Sequence, residues 1–306
     1  MRKLMLGGNF LITGVGSLNY LDNIKDKTVF IVTGSKSMLE NGVIGKMEET
    51  LHNNECQVKV YSGIRKNPDE DSILAAMKVM NDFCPQVLIA IGGGSPMDAA
   101  KIMAIFYEYP QLTFDDLRAG KIPQNRNMLK FIAIPTTSGT ASEVTRASVV
   151  TFRRDNIKIG LKSDAFMPDV AILDPTLTMT MPKKIVAETG MDAMTHAVEA
   201  YCNEAVEDFT EVLARGAVGG LYKYLPISYH EETLQSREKV LEYLSTDYRV
   251  TGLTASEALI NITPDMSLFL SQDDKHFFQL HGDDPCHEVA KACNSGHVWH
   301  GNENMK

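Results

Sequence analysis

The sequence predicts an α/β protein: a domain built on a parallel sheet, followed by an all-α domain. Three observations carry this. Short apolar, β-branched runs recur through the first half, each closed by Gly or Pro. Helical stretches separate them, which implies βαβ units with right-handed crossovers. From about Pro182 the strand signals stop and a helical pattern takes over. A length of 306 residues suits two domains, with the boundary near 182: residues 1–182 form the α/β domain and 183–306 the helical one.

In order along the chain, Lys27-Thr28-Val29-Phe30-Ile31-Val32-Thr33-Gly34 reads as a buried strand. A helix follows over roughly Met38–Asn53, then a strand at Gln57–Tyr61 and a helix at Ser72–Asp82. Gln86-Val87-Leu88-Ile89-Ala90-Ile91 is a second fully apolar strand, followed by Gly92-Gly93-Gly94-Ser95 and a helix from about Met97 to Tyr107. Phe131–Pro135 and Val170–Pro175 are further strands. The helical pattern runs from Pro182 to about Tyr243. Residues 244–306 are rich in Asp, Asn, Ser and His, with weak helical period outside Thr254–Ile260, and no structure is assigned to them.

Composition narrows the function classes. The formal net charge is −9, so no basic excess is available to meet nucleic-acid phosphates or an anionic membrane. No apolar run approaches membrane-spanning length. Met1–Ile12 is too short for a secretory signal and contains Gly and Asn. The five cysteines (Cys56, Cys84, Cys202, Cys286, Cys293) form no C-x-x-C pair and read as reduced thiols of a cytoplasmic protein.

Gly92-Gly93-Gly94-Ser95-Pro96-Met97-Asp98-Ala99-Ala100-Lys101 follows a strand and opens a helix. Backbone N–H groups at a helix N-terminus bind anions, and glycines let a pyrophosphate approach closely. Ser95 is suited to cap this helix and Pro96 to its first turn. The Gly-Lys-Ser/Thr ending of a P-loop is absent. Pro135-Thr136-Thr137-Ser138-Gly139-Thr140-Ala141-Ser142-Glu143-Val144-Thr145 also follows a strand. Its hydroxyls suit ribose and phosphate oxygens, or simply a helix cap at Thr140 or Ser142. The first strand ends Thr33-Gly34-Ser35-Lys36, with no acidic residue to bond a ribose 2′-hydroxyl and repel a 2′-phosphate. That tilts the expectation to NADP over NAD.

The third motif is Gly190-Met191-Asp192-Ala193-Met194-Thr195-His196-Ala197-Val198-Glu199-Ala200-Tyr201. It reads as a helix with Asp192 and His196 one turn apart on a single face. A carboxylate and an imidazole so placed offer two ligands to Fe²⁺, Zn²⁺ or Mn²⁺.

Together GGGSPMDAAK, PTTSGTASEVT and GMDAMTHAVEAY, with Met167–Pro175 between them, resemble the iron-dependent (group III) alcohol dehydrogenase family over about Phe10 to Lys239. The resemblance implies a Rossmann-like dinucleotide-binding N-terminal domain, a helical metal-binding C-terminal domain that is incomplete or altered in this sequence, and an active site between them. By matched position it places Gly93, Gly94 and Ser95 on the pyrophosphate, with Asp98 orienting the loop. Thr136, Thr137 and Thr140 line the nicotinamide-ribose side, and Lys158 contacts the cofactor. Gly34 stands where NAD-preferring members carry Asp. Asp192 and His196 become metal ligands and the catalytic centre. Members supply two further histidine ligands; here the pattern stops after Lys239 and partly returns at Cys286–Gly301, where His287 and His300 match them, with His297 beside the substrate. The implied activity is interconversion of a small primary alcohol or diol and its aldehyde by a homo-oligomer (a dimer or larger), using NADP or NAD and Fe²⁺, with Zn²⁺ as the other metal. The alternatives are a nucleotide-binding member lacking a complete metal site, a zinc glycerol-dehydrogenase-like enzyme, and a structural assembly.

Overall fold

The computed structural model describes residues 2–6, 9–34, 37–202 and 208–251. The chain divides into two compact units between Thr180 and Met181.

The first unit is built on a seven-stranded sheet. Its strands are β1 (Arg2–Leu6), β2 (Asn9–Thr13), β3 (Thr28–Thr33), β4 (Gln57–Ser62), β5 (Val87–Gly92), β6 (Lys130–Pro135) and β9 (Val170–Leu173), in the order β1-β2-β9-β6-β5-β3-β4. All neighbouring pairs are parallel except β1 with β2. A separate antiparallel hairpin joins β7 (Ala147–Phe152) to β8 (Ile157–Lys162).

The central strands are apolar throughout because both sheet faces are covered. β5 is buried along its whole length. Alternate residues go to opposite sides. Phe30, Val32, Leu88, Ala90, Phe131 and Ala133 pack with α3 (Glu70–Phe83) and α4 (Gly94–Glu108). Val29, Ile31, Ile89, Ile91, Ile132 and Ile134 pack with α2 (Val43–Asn53), which turns Ile44, Met47 and Leu51 inward. Each Val, Leu, Ile, Met or Phe among them contributes about 1.5–3 kcal/mol by leaving water. Two short helices, α1 (Ser37–Glu40) and α5 (Phe114–Arg118), complete this unit.

Asp69 caps α3: its carboxylate accepts the Ser72 N–H at 2.8 Å, and Ser72 Oγ answers the Asp69 N–H at 3.2 Å, a reciprocal capping box. The Asp69 carboxylate also takes two hydrogen bonds from Arg153 in the β7–β8 turn, at 2.7 and 2.9 Å, fastening the hairpin to α3.

The second unit, as far as described, is helical: α6 (Lys183–Tyr201), α7 (Asp208–His230) and α8 (Leu234–Thr251) pack on one another. α6 crosses α7 so closely at Gly190 that an added Cβ would lie 2.2 Å from Leu225 Cδ1. The observed α8 continues past Tyr243, beyond the span the helical period predicts.

The sequence reading also missed β1, β2 and the β7–β8 hairpin. β2 is an edge-region strand whose register is set by parallel pairing with β9. The hairpin mixes exposed Val149 and Ile157 with Arg, Asp and Lys, so its alternation is blurred.

Candidate functional site

β3 leads to β4 on one side of it, and the chain then returns to β5 on the other. The strand order therefore reverses between β3 and β5, and ligands of open α/β sheets bind beyond the strand C-termini at such a switch point. The two strand ends there are Thr33-Gly34 and Gly92-Gly93-Gly94-Ser95.

Gly92 has φ +142°, and an added Cβ would stand 2.7 Å from Pro96 Cγ. Only glycine meets both conditions. Gly93 is the N-cap of α4, with no side-chain cap, so the expected Ser95 cap is not formed. Ser95 lies inside the first turn, and its hydroxyl accepts the Asn67 N–H at 3.2 Å. The α4 N–H groups thus keep their free direction for an anion. A Cβ on Gly93 would lie 3.3 Å from Thr137 Oγ1, and one on Gly94 would lie 2.9 Å from Thr140 Oγ1. The glycine loop and the threonine loop are in close apposition, and side chains on the glycines would fill the space between them.

The threonine loop runs from Thr136, whose N–H bonds Gly92 O at 2.9 Å, to Thr145. It does not open a capped helix: Ala141, at φ +43°, precedes a single 3₁₀ turn with no side-chain cap. Ala141 is its N-cap, Thr140 Oγ1 accepts the Ser142 N–H at 3.4 Å from one residue earlier, and the Ser142 hydroxyl is engaged elsewhere. Ser142 Oγ donates to Asp98 Oδ1 at 2.8 Å and accepts from Lys101 Nζ at 2.9 Å. Lys101 Nζ also donates to Thr145 Oγ1 at 3.0 Å and Ala147 O at 2.6 Å. Burial pushes the Asp98 carboxyl up to about 6, against the pull of the Lys101 charge and the Ser142 hydrogen bond. Burial likewise draws Lys101 down to about 8, opposed by the charges of Asp98 and Glu143. Ser138 is buried, and its Oγ has no hydrogen-bond partner among the described residues. A buried hydroxyl of this kind ordinarily has a partner.

Gly34 is half-buried, and a Cβ there would make an ordinary 3.8 Å contact with Ile64 O. Glycine at 34 is therefore not required sterically. Lys36 lies outside the described residues. Lys158 is exposed on β8, paired with Thr151. Asn67 belongs to this region and lies outside both sequence motifs, whereas Gly92, Lys101 and Glu143 lie within them but are given no role by the sequence alone. Lys101 had a signal: it is a lone charge within the otherwise apolar run Ala99–Phe106.

In the second unit, Asp192 and His196 share one face of α6, with His196 Nε2 3.5 Å from Asp192 Oδ1. The imidazole is 6% exposed and the Asp192 side chain 43%, so the pair has a buried and an open member. Glu199 Oε2 is 3.9 Å from the other ring nitrogen, Nδ1. Burial pushes the Glu199 carboxyl up, His196 pulls it down and Asp192 adds to the rise. Among the described residues no three metal-ligating side chains converge. Two donors of the right chemistry are therefore present on α6, and His287 and His300 lie outside the described residues.

Residues 9–175 match the model of the iron-containing alcohol dehydrogenases, and residues 186–246 match that of the family's C-terminal domain. The chain belongs to the iron-containing alcohol dehydrogenase family. Within it, the chain is similar to an NADPH-dependent butanol dehydrogenase of Clostridium saccharobutylicum, 41% identical over 83% of this chain and 64% of that one. It is 35% identical to an aldehyde-alcohol dehydrogenase of Streptococcus pneumoniae, over 87% of this chain and 31% of the relative. The chain thus spans less than two thirds of these relatives. Among solved structures, an iron-containing alcohol dehydrogenase of Thermotoga maritima superposes with a TM-score of 0.74 at 28% identity, over 83% of this chain and 70% of the other. A sulfoacetaldehyde reductase of Bifidobacterium kashiwanohense, in complex with NAD⁺, gives 0.72 at 30% identity, over 83% and 66%. The family carries iron and nicotinamide chemistry. No helix among the described residues is long and apolar enough to cross a membrane.

Proposed function

We propose that this chain is a metal-dependent, NADP-linked dehydrogenase interconverting a small primary alcohol or diol and its aldehyde. The observation that carries the cofactor half is the apposition of the glycine and threonine loops at the sheet's switch point. Gly93, Gly94 and Ser95 receive the pyrophosphate at the α4 N-terminus, where backbone N–H groups and the helix dipole favour negative charge. Thr136, Thr137 and Thr140 line the nicotinamide-ribose side, and Asp98 orients the loop through Ser142. Lys158 reaches the cofactor from the hairpin. The absence of a carboxylate at Gly34 leaves room for a 2′-phosphate, and the similar butanol dehydrogenase is NADPH-dependent by name.

Asp192 and His196 hold a divalent metal, Fe²⁺ first and Zn²⁺ second, with His287 and His300 as the candidates to complete its ligands. Such a metal supplies Lewis acidity toward the substrate oxygen. To ligate through Nε2, His196 must be neutral and carry its proton on Nδ1. Glu199 stands on that side, where a carboxylate fixes the tautomer and raises the basicity of the ligating nitrogen. A bound nicotinamide would supply the hydride chemistry, and the protein's part is orientation and electrostatics. A homo-oligomer of two or more copies is the expected assembly.

The test is NADPH titration followed by anaerobic loading with Fe²⁺ or Zn²⁺, with His196→Ala beside the wild type. The expected result is NADPH binding in both and stoichiometric metal in the wild type alone. NADPH binding with equal metal content in both would remove the α6 assignment.

A further inference from the structure

Lys101 is completely buried, a rare state for lysine outside a paired, functional setting. All three of its N–H directions are used, and all three acceptors lie in one segment: Ser142 Oγ, Thr145 Oγ1 and Ala147 O. Three residues earlier on α4, Asp98 reaches the same segment twice. Its carboxylate accepts from Ser142 Oγ at 2.8 Å, and its backbone carbonyl accepts from Ser148 Oγ at 2.9 Å. Glu143, 1% exposed, adds a second negative charge that acts on Lys101. Residues 142–148 are thus fastened to the first two turns of α4 by polar contacts.

The two sides of this contact are held differently. α4 is anchored by Met97, Ala99, Ala100, Ile102 and Met103, all buried in the apolar core. The threonine loop is made of small hydroxylated residues, with Ala141 and Val144 as its buried apolar members. Ala141 sits in the left-handed region at φ +43°, a strained geometry for a residue with a Cβ. Loss of the Lys101 contacts leaves the helix and its glycine cradle in place and removes three of the five polar contacts described above between α4 and residues 142–148. A buried ion network is seldom the most stable filling of a core, since well-packed apolar residues often do as well or better. A positional role accounts for a charge here where a stability role does not.

We propose that Lys101 is a positioning residue of the cofactor site: it clamps the threonine loop to the helix that opens at the glycine cradle, and so shapes the nicotinamide-ribose half of the dinucleotide site. This rests on the cofactor reading above. Lys101 touches neither cofactor nor substrate and acts through Ser142 and Thr145. The lowered affinity of Lys101 for its proton leaves it cationic at neutral pH, as the clamp requires.

The test compares two probes, NADPH and 2′,5′-ADP, titrated against the whole chain. The second carries the adenosine with its 2′- and 5′-phosphates and lacks the nicotinamide mononucleotide half. Lys101→Met is expected to raise the NADPH dissociation constant about tenfold or more, as displaced positioning groups do, while 2′,5′-ADP changes less than about threefold. Thr145→Val removes one acceptor and keeps the shape, so it tests the same point if Lys101→Met does not fold; its expected effect is about threefold on NADPH alone. Equal losses of both probes, or no loss of either, in a folded variant would overturn the clamp. A wild-type chain that binds neither probe would overturn the cofactor site and the clamp with it.

Discussion

Gly94→Ala isolates the fit between the two loops. In most helices this change is favourable by roughly 0.8–1 kcal/mol, because alanine loses less backbone entropy. At Gly94, φ lies outside the left-handed region, so backbone strain is not at issue. The new Cβ would stand 2.9 Å from Thr140 Oγ1, 3.0 Å from its Cγ2 and 3.2 Å from its Cβ. Carbon pairs at rest sit about 3.5–4.0 Å apart, so several tenths of an ångström must be found. Rotation of Thr140 about χ1 moves Oγ1 and Cγ2 and leaves Cβ where it is. The threonine loop itself must therefore shift. Overpacking of this kind costs about 1–3 kcal/mol, of which the helix gain offsets at most about 1 kcal/mol. In the cofactor site nothing offsets it. A methyl enters the cradle and the threonine side moves away, for a loss of about ten- to a hundredfold in NADPH affinity. Fluorescence titration with NADPH, paired with a urea unfolding curve, reads the two effects separately. Wild-type affinity in Gly94→Ala would refute the interlocked-loop reasoning.

Three other outcomes are expected. Gly34→Asp has steric room, with 3.8 Å from the new Cβ to Ile64 O, and its carboxylate would repel a 2′-phosphate and accept from a ribose 2′-hydroxyl; parallel titrations should show NADPH affinity falling and NADH affinity rising. Gly190→Ala puts a Cβ 2.2 Å from Leu225 Cδ1, and a denaturant midpoint should show a loss of about 1–3 kcal/mol despite the helix-propensity gain. Burial pushes the Asp69 carboxyl up, but the Ser72 and Arg153 hydrogen bonds prevail and hold it below 3.8. A carboxylate with a depressed folded pKa adds stability above its unfolded pKa and loses it as pH falls below that value. Melting temperatures of Asp69→Asn should therefore fall short of wild type at neutral pH and converge on it below about pH 4.

The parts of the fold legible in the sequence are those whose physics is local. β3, β5 and β6 are apolar on both faces, so their runs stand out. The glycine cradle was readable because Gly92 needs its positive φ and the chain turns from strand to helix there. The Asp192–His196 pair was readable from helical spacing alone. What escaped depends on distant partners. β2 is a strand because β9 lies beside it, and the β7–β8 hairpin is held to α3 by Arg153, eighty-four residues from Asp69. Ser95 and Ser142 look like helix caps in sequence, and tertiary contacts with Asn67, Asp98 and Lys101 claim their hydroxyls instead. Lys101 would pass for a solvated charge until its three acceptors, more than forty residues away, are seen around it.

The measurement that bears most directly on the whole account is NADPH oxidation by the Fe²⁺-loaded chain with butanal, wild type against Asp192→Ala, with NADPH affinity measured on both. Turnover is expected in the wild type, its loss in the variant, and equal NADPH affinity in the two. Equal turnover in both, or none in a wild-type chain that has bound both NADPH and metal, would contradict it.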